Sequence, residues 1–182
     1  MKESNRRRKN EIKYKTVLNA EQKEAKRLIL DNQIVIVTGR AGSGKSLVCA
    51  QTALNFLMTK ECDNVYVTRA TVEVGESLGF LPGTLDDKFN PYLEAFQENL
   101  VKCYDKVKIE ALVKDQKIMA YPVQFIRGKT IDDVLVVEEA QNMSKNEMLA
   151  ILTRLGKTGK IIINGDNEPV SYTHLTLPTI TE

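Results

Sequence analysis

The sequence has no tryptophan, a single histidine (His174) and only three cysteines (Cys49, Cys62 and Cys103) among 182 residues. One histidine near the C-terminal end offers no basis for His-centred catalysis. The cysteines are far apart, odd in number and form no CxxC pair, which argues against a disulfide framework or a zinc site. Cys49 is expected to be a small buried apolar residue of a helix. The apolar runs are short and strand-like, far below the roughly 20 residues of a membrane span. The basic first residues have no apolar stretch behind them, unlike a secretory signal. These absences give the expectation of a cytoplasmic protein with no membrane segment. Charge is close to balance, with 26 Lys and Arg against 24 Asp and Glu, but it is uneven. Lys2, Arg6, Arg7, Arg8, Lys9, Lys13 and Lys15 face only Glu3 and Glu11. Residues 1–16 are therefore a basic arm, which reads either as a contact for nucleic acid or an acidic membrane or as a solvated terminus.

From Leu18 the pattern becomes regular. Asn19 followed by Glu21-Gln22 marks a helix start, with Ala25, Leu28 and Ile29 as its apolar stripe. The run Ile34-Val35-Ile36-Val37 predicts a strand buried on both faces. A helix is predicted over 45–58, turning Val48, Cys49, Thr52, Ala53, Phe56 and Leu57 inward, and a strand over 65–67. A Gly- and Pro-rich loop is predicted over 75–91, then helices over 91–103 and 107–113. Strands are expected over 117–123, 134–137 and 161–163. A helix over 144–155 has Ser144 and Glu147 at capping-box spacing. Strands alternating with helices predict an α/β fold with a mostly parallel sheet flanked by helices. Such a sheet binds its ligand at the carboxyl ends of its strands.

Three polar clusters follow buried strands. The first is Gly39-Arg40-Ala41-Gly42-Ser43-Gly44-Lys45-Ser46, between a strand and a helix. Its glycines let successive backbone N–H groups converge on an anion, and the next helix adds its positive end. Lys45 would reach the β- and γ-phosphates, and Ser46 would offer its hydroxyl to Mg²⁺. The nucleotide-binding set is taken as this loop with Leu47. The second cluster ends the run Val134-Leu135-Val136-Val137 in Glu138-Glu139. Glu138 is assigned to Mg²⁺ and Glu139 to orienting and deprotonating the attacking water. The third is Ile161-Ile162-Ile163-Asn164-Gly165-Asp166, in which Asp166 is a candidate sensor of the γ-phosphate. Arg127 and Arg154 are candidates for stabilising charge on the transferring phosphate. The chemistry implied is that of a P-loop nucleoside triphosphatase using ATP and Mg²⁺.

Together these residues resemble the PhoH-like family of ATPases, whose core is similar to the first RecA-like domain of superfamily 1 helicases. The resemblance also rests on Thr68-Arg69, Gly75-Glu76, Leu78-Gly79-Phe80-Leu81-Pro82-Gly83, Lys88 and Pro91-Tyr92. Arg127-Gly128-Lys129-Thr130, Glu139-Ala140-Gln141-Asn142 and Leu152-Thr153-Arg154-Leu155-Gly156 extend it. It spans about residues 17–166, taken as the ATPase domain. It implies that Gln22 contacts the adenine edge and that Gln141 contacts the γ-phosphate or the attacking water. It also implies a ring-shaped homo-oligomer with Arg154 serving a neighbour's site, and a strand order with 161–163 between the P-loop strand and the acidic strand.

The sequence departs from the family pattern twice. Glu138 stands where the family usually has Asp, which pushes the carboxylate outward by about 1.5 Å and gives the expectation of slower hydrolysis. Pro169 stands where the family usually has Gln. Beyond it, residues 171–179 resemble translated sequencing-adapter read-through, so 167–182 is expected to be an irregular, artefactual tail. Three functions compete on these residues. The first is an ATPase coupled to work on RNA or single-stranded DNA. The second is a nucleotide-dependent binding module with little turnover. The third is a small-molecule kinase, for which no lid or acceptor base is identifiable.

Overall fold

A computed structural model describes residues 12–70, 85–126 and 128–166. Most of the basic arm (1–11), Arg127, the segment 75–83, Pro169 and the tail 167–182 lie outside those residues. The first helix, α1 (Ala20–Asp31), starts where local chemistry dictates. Asn19 accepts from the Gln22 N–H, and the Gln22 side chain accepts from the Asn19 N–H, closing a capping box. Of the apolar stripe expected on α1, Ile29 is buried but Leu28 is exposed.

Five strands follow, with helices between them: β1 (Ile34–Gly39), β2 (Val65–Arg69), β3 (Ile118–Ala120), β4 (Val134–Glu138) and β5 (Lys160–Asp166). They form one sheet in the order β1-β5-β4-β2-β3, with every pairing parallel. The expected position of β5, between the P-loop strand and the acidic strand, is therefore the observed one. Side chains alternate between two cores. Val35, Val37, Val65, Val67, Val134, Val136 and Ile162 face α1 and three further helices. These are α2 (Lys45–Met58), α3 (Leu85–Cys103) and α4 (Lys106–Lys114). Tyr66, Leu135, Val137, Ile161 and Ile163 face α5 (Val123–Ile126) and α6 (Lys145–Leu152) on the other side. The three isoleucines of β5 are essentially inaccessible to water. Each contributes about 1.5–3 kcal/mol of hydrophobic stabilisation. That burial fixes the height at which the polar end of β5 emerges.

Four expectations are corrected. β1 is not buried on both faces: Ile34 is 42% and Ile36 48% exposed. It is an edge strand among the described residues, and its second face lies beyond the reach of α6. α3 begins at Leu85, not at Pro91. Pro91 then removes only one internal hydrogen bond of a 19-residue helix. β3 stops at Ala120, since Pro122 has no N–H to continue a ladder, and the chain turns into α5. α6 ends at Leu152 and not at Leu155; its start does follow the expected Ser144–Glu147 capping box.

The chain is fastened to the domain from Tyr14, three residues before the start assigned at Val17. The Lys15 N–H donates to the Cys103 carbonyl at 2.8 Å and the Thr16 hydroxyl to the Lys102 carbonyl at 2.7 Å. The Tyr14 hydroxyl donates to the Gln51 carbonyl at 3.3 Å. Cys49 is buried within α2 as expected, and burial pushes its thiol pKa upward.

Candidate nucleotide-binding site

The loop between β1 and α2 is shaped by two left-handed residues, Gly42 (φ 76°) and Gly44 (φ 85°), a conformation costly for any residue with a Cβ. Gly44 is the N-cap of α2 and has no side chain to cap with. The first N–H groups of α2 therefore lack helical partners and are available to an anion. A cavity of about 480 Å³ opens here, lined by Gly42, Gly44, Lys45, Ser46, Asn164 and Asp166 among others. Its volume is typical of a small-molecule site.

Lys45 is the central cation. Its Nζ donates to the carbonyls of Gly39 (3.0 Å) and Arg40 (2.9 Å) and pairs with Asp166 Oδ1 at 2.6 Å. The Ser46 hydroxyl donates to Glu138 Oε2 at 2.9 Å. The longer glutamate side chain thus meets the P-loop hydroxyl in spite of the expected outward displacement. Burial raises the pKa of Glu138, and Glu139 adds to the rise, while hydrogen bonds from Ser46 and Asn164 and the charge of Arg69 oppose it. Glu138 Oε1 and Asn164 Oδ1 are buried without partners.

Glu139 occupies a left-handed conformation (φ 53°, ψ 42°), which is unfavourable for a non-glycine residue and recurs at functional sites. Its Oε2 accepts from Gln141 Nε2 at 2.7 Å, and Gln141 Oε1 accepts from the Asp166 N–H at 3.1 Å. Gln141 therefore bridges the second acid of the pair to the end of β5. Arg69 Nη2 lies 3.8 Å from Glu139 Oε1.

The three polar clusters converge at one end of the sheet, as the strand-end rule requires. Gln22 touches the loop, donating to the Ser43 carbonyl at 3.1 Å, but does not line the cavity. Leu47, Glu139 and Gln141 do line it. Arg154 is not brought to this end. Its carbonyl accepts from the Ile131 N–H at 2.8 Å, near the amino ends of β4 and β5, because the chain after α6 must return there to start β5.

Sequence reasoning missed four residues. Asn164 is a polar residue inside an otherwise apolar buried strand, a signal that could have found it. Arg69 ends a buried strand, as Glu138 and Asp166 do. Asn99 and Lys102 of α3 line the cavity from a distant part of the chain, and no local signal marks them.

Mg²⁺ is the ion implied by the P-loop resemblance, and the donor set fits it. Ser46 Oγ and the Glu138 carboxylate are oxygen donors with unused acceptor capacity. No cluster of three or more His, Cys, Asp or Glu suited to a metal exists among the described residues. Mg²⁺ takes few protein ligands and completes its shell with phosphate oxygens and water.

A parallel sheet with a lysine-bearing glycine loop at its carboxyl edge, facing paired carboxylates, defines a P-loop nucleotide-binding protein with a RecA-like fold. The chain belongs to the PhoH-like protein family, whose model matches residues 12–176. It is 37% identical to a PhoH-like protein of Synechocystis over 146 residues, covering 80% of this chain and 44% of that one. It is 40% identical to a PhoH-like protein of Mycobacterium tuberculosis over 136 residues (74% and 39%) and 35% identical to protein PhoH of Escherichia coli K12 over 141 residues (76% and 40%). The chain thus spans about two fifths of the length of the curated relatives it matches. Its fold is similar to the UvsW helicase of bacteriophage T4, with TM-score 0.53, 14% identity, and 81% of this chain and 52% of that one covered. It is also similar to the Sulfolobus solfataricus SWI2/SNF2 ATPase core solved with dsDNA, with TM-score 0.52, 16% identity, and coverage of 86% and 33%. Among the described residues no helix is long and apolar enough to cross a membrane.

Proposed function

We propose that this protein binds ATP with Mg²⁺ and hydrolyses it, and that hydrolysis is coupled to work on RNA or single-stranded DNA. The observation that carries the ATPase reading is the convergence of Lys45, Ser46, Glu139, Gln141 and Asp166 around one cavity, with Glu138 hydrogen-bonded to Ser46 behind its wall. In this reading Lys45 and the N–H groups of the loop hold the phosphates. Ser46 and Glu138 hold the metal, which neutralises phosphate charge when bound. Glu139 accepts a proton from the attacking water, and Gln141 keeps its carboxylate in place. Asp166 reports on the γ-phosphate through its pairing with Lys45. Gln22, beside the loop, reads the adenine edge.

The nucleic-acid half of the proposal is supported by the helicase-type fold and by the basic arm 1–16. Arg154, at the opposite end of the sheet, acts only on a neighbour's nucleotide, which requires a ring-shaped homo-oligomer.

Steady-state phosphate release, measured with MgATP in the presence and absence of RNA and of single-stranded DNA, tests both halves, with Lys45→Ala as the blank. Release that depends on Lys45 and rises with nucleic acid is expected. Release from Lys45→Ala equal to that of the unmodified protein would refute the ATPase assignment. Lys45-dependent release indifferent to nucleic acid would refute the coupling alone.

A further inference from the structure

We propose that Asn164 is a positioning residue that orients the Ser46 hydroxyl toward the metal and accepts a hydrogen bond from a metal-bound water; this rests on the reading of the cavity as a magnesium–nucleotide site. Asn164 is 4% exposed and lines the cavity. Its Nδ2 donates to Ser46 Oγ at 2.8 Å and to Glu138 Oε2 at 2.9 Å, while Ser46 Oγ donates to the same Glu138 oxygen at 2.9 Å. The three side chains form a closed ring of hydrogen bonds.

The ring fixes the direction of every proton. A carboxylate oxygen only accepts, so the NH₂ end of the amide must face Glu138. Both amide hydrogens are then used. The Ser46 proton is committed to Glu138 and one Ser46 lone pair to Asn164, so a single lone pair remains for the metal. Without Asn164 only the bond to Glu138 holds the hydroxyl rotor. The amide's other end, Oδ1, is buried and unpartnered. An unpartnered buried acceptor is costly and calls for a donor. A hydrated Mg²⁺ held on Ser46 supplies one, because its waters are polarised donors. Asn164 touches neither phosphate nor attacking water in this scheme. It acts through Ser46, Glu138 and the ion's hydration shell, as outer partners of metal ligands do.

The test is the dependence of nucleotide affinity on magnesium. The affinity of a fluorescent ATP analogue is measured in EDTA and in saturating MgCl₂, and the ratio of the two gives the magnesium coupling. Asn164→Leu keeps the branched shape and removes both polar ends. It is expected to lower the coupling by about tenfold or more, with affinity in EDTA unchanged. Wild-type coupling in Asn164→Leu, alongside lost coupling in Ser46→Ala, would overturn the role of Asn164 and leave the metal site standing. Wild-type coupling in both variants would remove the metal site and this proposal with it. Loss of affinity in EDTA as large as the loss in MgCl₂ would make Asn164 a structural residue only, and that also overturns the proposal. Asn164→Ala, which leaves space and not a bulky side chain, is the second variant should the leucine protein fail to fold, and the same outcomes decide.

Discussion

Asp166→Asn should make the protein bind nucleotide more tightly. The Lys45 ammonium has three N–H bonds, and all are used: on Gly39, on Arg40 and on the Asp166 carboxylate. A phosphate oxygen can reach this cation only by sharing or displacing one of those acceptors. Asp166 is the one that carries charge and so competes most strongly. The Lys45 side chain is 10% exposed and that of Asp166 33%. A hydrogen bond to a charged group contributes about 1.5–3 kcal/mol net. Discounting for the partial exposure of Asp166 leaves about 1–2 kcal/mol. Asparagine keeps the shape and a neutral acceptor but removes the charge. The affinity for ATP should therefore rise by about 5–30-fold. Titration calorimetry with ATP at fixed MgCl₂ reads this directly, and kcat should fall at the same time if Asp166 reports on the γ-phosphate. Equal or weaker binding by Asp166→Asn would refute the competition argument, because the carboxylate would then be assisting the nucleotide.

Glu139→Gln should retain ATP binding and slow single-turnover hydrolysis by about 10²–10⁴-fold, since an amide cannot accept the proton; an unchanged rate would move the base elsewhere. Lys160→Met removes a cation whose Nζ donates to the carbonyls of Ile29 (2.7 Å), Leu30 (2.9 Å) and Asn32 (2.6 Å) at the end of α1. Urea unfolding should show a loss of about 2–3 kcal/mol, and a loss under about 0.5 kcal/mol, the range of ordinary surface changes, would refute the capping role. Glu138 has a raised pKa, chiefly from burial, so the folded state holds its proton longer than the unfolded chain as pH rises. Between the ordinary carboxylate pKa and the raised one, stability contributed by the protonated group is lost with increasing pH. The stability of Glu138→Gln relative to the unmodified protein should grow across that window and level off above it, and a difference constant with pH in urea titrations would contradict the burial argument.

Much of this was legible locally. The capping boxes at Asn19 and Ser144, the glycine loop, and the apolar runs that end in carboxylates are set by interactions within a few residues. The central strands β4 and β5 read correctly because both of their faces are apolar and covered. β1 carries the same β-branched composition yet lies at an edge, and composition does not distinguish the two. Which strand is central depends on where its partners fall, and β5 lies more than 120 residues away in the chain. The same limit hid Arg69, Asn99 and Lys102, whose part in the site depends on where β2 and α3 pack. Arg154 illustrates the converse: a residue in a family-like segment lies at the far end of the sheet from the cavity, because a helix must carry the chain back before the next parallel strand can begin.

The strand order also sets the order of chemical groups. In a parallel sheet every strand ends at the same edge, so residues far apart in sequence form a row there. Gly39 of β1 is opposite Asp166 of β5, and Arg69 of β2 is opposite Glu138 of β4. Along the edge the order is the phosphate loop, then Asn164 and Asp166, then Glu138 and Glu139, then Arg69. With neighbouring strands about 4.8 Å apart, this row is about 14 Å long from β1 to β2. A bound phosphate chain, its metal and a water in line with it can be met in that order by one straight edge. β5 is the pivotal strand in this geometry because it is the neighbour of both the loop and the acids. Asn164 ties Ser46 to Glu138 across it, and Asp166 ties Lys45 to Gln141. On the proposed function, a change in nucleotide at the loop would reach Glu138 and Glu139 through these two residues of one strand.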